Sequence, residues 1–161
     1  MKGDKKVIQL LNKLLTGELT AIDQYFIHSE MYLNWGLQRL HERVHHEMGD
    51  EREHARRLIA RILFLEGKPD VASRAALAVG ADVEQMLAND LALEQRVVGE
   101  LRAAITDCEK HGDYVSRELL EDLLGDTEED HAHWLEQQLG LIRMVGLENY
   151  LQSQMGGGSP S

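Results

Sequence analysis

The 161-residue chain predicts an all-α fold: a four-helix bundle with one long crossover and a short fifth helix at its C-terminal end. Three observations carry this. Only two prolines occur, Pro69 and Pro160, so long segments run without a helix breaker. Those segments repeat apolar residues at three- and four-residue spacing, the mark of one helical face. The breaks between them give connections that are short, long and short.

Each element follows from its residues. The first helix runs from Lys5 to Asn34, with Val7, Leu11, Leu14, Ile22 and Tyr25 along one face. The second spans about Leu37 to Leu65 and carries Leu40, Val44, Ala55, Leu58 and Ile62; the stretch "EGKPD" ends it through Gly67 and Pro69. Residues 66–82 form the long connection, rich in Ala and Val but without sustained periodicity. Asp82 is placed to cap a third helix, which carries Val83, Leu87, Val98, Leu101 and Ile105 and ends at "KHGD". A fourth helix continues to about Leu139 with Leu120, Leu124 and Leu135. "GLENYLQSQ" gives the short final helix. One domain over residues 1–155 is expected, followed by a flexible polar tail, "GGGSPS", over 156–161.

Composition narrows the function classes. A net charge of −11 argues against nucleic acid as a partner, because phosphate binding needs clustered Lys and Arg. No apolar run approaches the roughly 18 residues that cross a bilayer, and "MKGDKKVIQ" lacks the apolar centre of a signal peptide. A cytoplasmic protein without membrane partners is expected. The single cysteine, Cys108, rules out an intramolecular disulfide and suits a reducing compartment.

Chemistry enters through charged residues on apolar faces. Three Glu-x-x-His pairs occur: Glu42–His45, Glu51–His54 and Glu128–His131. At about 100° per residue, Glu51 falls within the apolar stripe of the second helix and His54 at its edge, whereas Glu42 lies opposite. Glu128 and His131 share a face with Leu120, Leu124, Leu135 and Leu139. Glu94 sits amid the stripe of the third helix and Glu18 amid that of the first. Each helix thus places one carboxylate on its buried face, and two add a histidine one turn later. Unpaired buried carboxylates cost several kcal/mol or take up protons. A pair of cations would compensate them, and oxygen-rich ligands with one histidine per metal suit iron or manganese. Two lone Glu plus two Glu-x-x-His on four helices are the signature of the ferritin-like di-iron and di-manganese bundles.

Beyond this pattern, "LLTGELTAIDQYFIHSEMYLNWG", "DEREHARR", "RILFLEG", "DLALE", "DYVSR" and "EEDHAHWLE" resemble the bacterioferritin family over nearly the whole chain. The resemblance implies iron storage and detoxification by a hollow shell of 24 subunits built from dimers. Each subunit would oxidise Fe(II) at a di-iron centre of Glu18, Glu51, His54, Glu94, Glu128 and His131, and ferric mineral would collect inside. Glu51 and Glu128 would bridge the irons. It also implies a possible inner-surface iron position at His46 and Asp50, electron-passing roles for Tyr25 and Trp134, and a ferredoxin-like reductant for iron release. Many members ligate haem between subunits through a methionine; here that position holds Arg52, a poor iron ligand. Met31 and Met48 on neighbouring faces read as packing residues. Haem is therefore not expected in a homo-oligomer, and the chain is similar to the haem-poor subunit type, which can share a mixed shell with a haem-binding bacterioferritin subunit. The rival readings are a non-storing di-iron oxidase or peroxidase, and a structural subunit with vestigial carboxylates.

Overall fold

The computed structural model describes residues 1–156; the tail expected over 156–161 lies, beyond Gly156, outside the described residues. Four long rods are present, in the expected order. Helix α1 spans Lys5–Asn34, α2 Gln38–Phe64 and α3 Val83–Lys110. The fourth rod is compound: α4 spans Tyr114–Gly125, a π-helical segment covers Asp126–Ala132, and α5 spans His133–Val145. It runs past the Leu139 end that periodicity suggested. The final helix, α6, is Leu147–Gln154.

Acidic caps start three of the rods. Asp4 accepts from the amides of Lys6 and Val7, Asp82 from Gln85, and Asp113 from Ser116. Such caps satisfy amides that have no partner within the helix and suit the positive end of its dipole. Gly36, at φ +78, turns the chain between α1 and α2.

The crossover is pinned by polar residues of α1. Asn12, Thr20, Gln24 and His28 lie on one side of α1, at steps of eight, four and four. Asn12 donates to the Lys68 carbonyl and accepts from the Asp70 amide. The Thr20 hydroxyl accepts from Ala75, Gln24 from Ala78, and His28 Nε2 from Gly80. A segment without periodicity of its own is thus laid along a helix that presents partners every turn. Gly80 allows the last contact, since a Cβ there would stand 2.5 Å from the Met86 amide nitrogen. Inside the bundle, Asp90 of α3 completes this clamp through Gln24 (2.8 Å) and His28 Nδ1 (2.9 Å).

Two apolar lobes make up the core. One contains Leu11, Leu15, Leu58, Leu101 and Leu120; the other contains Tyr25, Tyr32, Leu40, Leu87, Leu135 and Tyr150. A belt of buried acidic and imidazole side chains crosses the bundle between them, at Glu18, Glu51, His54, Glu94 and His131. Helix α6 seals the end of the second lobe, where the Tyr150 hydroxyl donates to Gln138 at 2.8 Å.

Candidate metal centre

Four rods supply the belt, each at the level where its apolar stripe is interrupted. Glu18 comes from α1, Glu51 and His54 from α2, Glu94 from α3 and His131 from the π-helical segment. All five are at most 2% exposed. They form two triads that share one member: Glu18–Glu51–His54 and Glu51–Glu94–His131, with the ligating atoms of each triad within 4.8 Å of one another.

The geometry of Glu51 explains the sharing. Its Oε2 lies 3.6 Å from His54 Nδ1, and its Oε1 lies 2.7 Å from His131 Nδ1. The two imidazoles stand nearly parallel, with ring centroids 6.0 Å apart. Glu18 approaches His54 Nδ1 at 3.6 Å, and Glu94 approaches His131 Nδ1 at 3.5 Å. Each triad therefore presents two carboxylates and one Nδ1 to a common point. The Tyr25 hydroxyl donates to Glu94.

The outer nitrogens of both rings are held as well. His54 Nε2 is 3.1 Å from Asp126 Oδ2. His131 Nε2 contacts Glu47 and lies 3.3 Å from Asp50 Oδ2. A carboxylate on the far nitrogen of a ligating histidine fixes the ring and its tautomer and makes the inner nitrogen a better donor. Periodicity singled out neither Glu47 nor Asp126. Glu47 carried a signal, since it continues the buried series Leu40, Val44, Glu47, Glu51, His54 and Leu58 on α2. Asp126, by contrast, is a surface residue, and only the folded structure brings it to a histidine of another helix.

Glu128 is placed differently from its expected face. Its side chain is 36% exposed and pairs with Arg102 of α3 instead of joining the triads. The cause is the π-helical segment. Its wider turn accommodates an extra residue, so Thr127 and His131 face inward and Glu128 is rotated to the rim. The buried Thr127 hydroxyl returns to the Leu123 carbonyl at 2.8 Å, as expected where a turn is loosened. His46 is exposed and lies 3.7 Å from Asp50, which links it to the His131 side of the belt. Glu42 and His45 are on the surface. Arg52 is exposed on the outer face of α2, and Trp134 is half-buried beneath the Arg43 guanidinium.

Electrostatics show how the cluster copes with its own charge. Burial, then the neighbouring Glu51 carboxylate, raises Glu18 well above the ordinary carboxylate range. Burial opposes a charge on His54, but the adjoining Glu18 and Glu51 carboxylates outweigh it and push the imidazole up to about 11. His131 is raised likewise, burial again being overcome by Glu47, Glu51 and Glu94. The belt thus offsets its negative charge with protons.

Protons leave the arrangement incomplete. Among the described residues, both Glu18 oxygens and His54 Nδ1 are buried without a hydrogen-bond partner, a costly condition unless something else occupies the point they face. Carboxylate oxygens and imidazole nitrogens, without a thiolate, fit divalent iron or manganese better than structural zinc. Cys108 is buried within the first apolar lobe, away from the belt.

Comparison with known proteins agrees with this architecture. Residues 8–145 match the ferritin-like domain model. The chain is 56% identical to a bacterial ferritin from Synechocystis sp. over 155 residues, covering 96% of this chain and 99% of that one. It is also 56% identical to a bacterial ferritin from Pseudomonas aeruginosa, with 96% and 100% covered. A bacterioferritin from Mycobacterium leprae is 43% identical over 150 residues, with 93% and 94% covered. Among the described residues, no helix is long and apolar enough to cross a membrane. A four-helix bundle with a carboxylate and histidine belt, matched along nearly its whole length by these relatives, belongs to the ferritin-like family.

Proposed function

We propose that this chain is an iron-storage subunit that oxidises Fe(II) to Fe(III) within its bundle and delivers the product to the interior of a 24-subunit shell. The observation that carries this reading is the pair of buried triads sharing Glu51, one of which directs unsatisfied atoms of Glu18 and His54 inward. Two Fe(II) ions, the substrate, would each be held by one triad: one by Glu18, His54 and Glu51, the other by Glu94, His131 and Glu51. Glu128 is the sixth ligand in this reading. Two ions held side by side can each give one electron to a single dioxygen or peroxide molecule, so that no free one-electron oxygen radical need leave the site. Anionic oxygen ligands favour the ferric product electrostatically.

The chain's own groups manage the protons. Both imidazoles must give up theirs before an ion binds, and Asp126, Glu47 and Asp50 hold the outer nitrogens while that exchange occurs. Storage rather than oxidation alone is supported by the near full-length match to proteins named bacterial ferritin and bacterioferritin. Arg52, exposed and permanently cationic, supports a haem-poor subunit, which fits either a homo-oligomer or a mixed shell with a haem-binding subunit.

The test is oxidation of Fe(II) by the purified chain, followed by stopped-flow absorbance together with native mass. Glu94→Ala should abolish the fast phase, and the wild-type particle should be shell-sized. An unchanged fast phase in the variant would overturn the site assignment, and a dimer-sized particle would overturn storage.

A further inference from the structure

Five of the six expected ligands are buried in the belt, while Glu128 waits at its edge. In the same π-helical segment Thr127, His131 and Ala132 are buried, whereas Glu129 and Asp130 are exposed. Glu128 therefore borders the belt rather than lying across the surface from it. Charges on two sides act on its carboxylate. In the metal-free belt the Glu51 and Glu94 carboxylates are offset by the protonated imidazoles beside them, which leaves little net pull on it. Arg102 of α3 attracts it outward through an Nη2–Oε1 contact. A divalent cation held by Glu51, Glu94 and His131 adds positive charge at that point and draws the carboxylate inward, in competition with Arg102.

From this arrangement we propose that Arg102 is a positioning residue, a latch that holds Glu128 outside the belt until metal enters and draws the carboxylate in. The inference rests on the dinuclear reading above. The surroundings suit such a movement. Arg102 and Glu128 line an open cleft of about 370 Å³, together with Gln95, Val98, Ala132 and Glu136, so neither side chain is boxed in by packing. Glu136 in the same cleft offers the guanidinium another carboxylate once Glu128 has left. The π-helical segment supplies the backbone latitude, because its loosened turn is the element that carries both Glu128 and His131. Arg102 is 65% exposed, so the latch is weak and solvent-screened, as a reversible device requires.

The measurement is anaerobic titration of the full-length, metal-free protein with Co(II), read by its visible absorption at low ionic strength. Co(II) reports its coordination without being oxidised. Wild type should bind two ions per chain. Arg102→Ala and Arg102→Gln should tighten binding about two- to fivefold, the range for an exposed ion pair. Near 0.5 M salt that gain should shrink as screening weakens the pair in wild type. In a Glu128→Gln background, removing Arg102 should change nothing. Unchanged or weaker binding in both Arg102 variants overturns the latch. An equal gain in the Glu128→Gln background also overturns it, because the effect would then be simple removal of a nearby positive charge. Fewer than two bound ions at saturation in wild type would instead overturn the dinuclear reading, and the latch with it.

Discussion

The two halves of the candidate metal centre differ in how they are built. The His54 half draws Glu18 and Glu51 from α1 and α2, helices packed along an unbroken interface, and its outer nitrogen rests on one surface carboxylate, Asp126. The His131 half draws on α3 and the π-helical segment, and its outer nitrogen meets two carboxylates, Glu47 and Asp50. Regular helix gives a half whose inner ligands are set by the fold. Irregular helix gives a half with more outer support and, in the proposed reading, one ligand, Glu128, held outside it. Glu51 joins them, so neither half is independent of the other.

The largest effect should come from breaking that joint. Glu51→Ala removes a ligand from both halves and should lower the rate of fast Fe(II) oxidation by more than about a hundredfold, with neither metal held tightly in an anaerobic Co(II) titration. Retention of one tightly bound ion would mean that the halves do not share Glu51.

A smaller effect should separate the outer supports. Asp126→Ala leaves His54 Nε2 without its partner and should weaken metal affinity about tenfold, the low end for loss of such a support because Asp126 is exposed. Asp50→Ala should cost less, since Glu47 still holds His131. Equal losses in the two variants would show that Glu47 and Asp50 do not back each other up.

The smallest and most graded effect is on stability against pH. Glu18 and His54 are both raised above their ordinary values of 4.5 and 6.5 in the folded chain. Folding of the metal-free protein therefore takes up protons. For His54 the stabilisation is complete below about pH 6.5 and is lost as pH rises toward about 11. Glu18 adds a slope of the same sign above about pH 4.5. Each proton contributes at most about 1.4 kcal/mol per pH unit. Bound metal takes the place of those protons, so the loaded protein should gain stability over the range where the metal-free one loses it. Denaturation midpoints at pH 6, 7, 8 and 9, with and without Co(II), check this; parallel slopes would contradict it.

Much of this was legible in the sequence. The rods, the acid on the apolar face of each of the first three and the convergence of Glu18, Glu51, His54, Glu94 and His131 all follow from a 3.6-residue repeat, because regular helix keeps phase with sequence number. Glu128 escaped for the same reason. A π-turn slips the phase, and nothing in "GDTEEDHAH" marks the slip at the level of apolar spacing. Asp126 reaches His54 across helices, a relation that no spacing within one helix encodes. The crossover's anchorage could have been found. Asn12, Thr20, Gln24 and His28 repeat at helical steps just as an apolar stripe does, but a polar stripe reads as solvent-facing unless a partner is in view.

The polar belt also has a mechanical consequence. It divides the interior into two separately packed lobes, so the bundle has a waist where helix-to-helix cohesion rests on ion pairs and imidazoles rather than on interlocked aliphatic side chains. In the proposed reading this polar cross-section is also the place ions must reach. Transient separation of the helices there would open a path at the required height, and each arriving ion would act as a rivet, closing behind itself the gap through which it came.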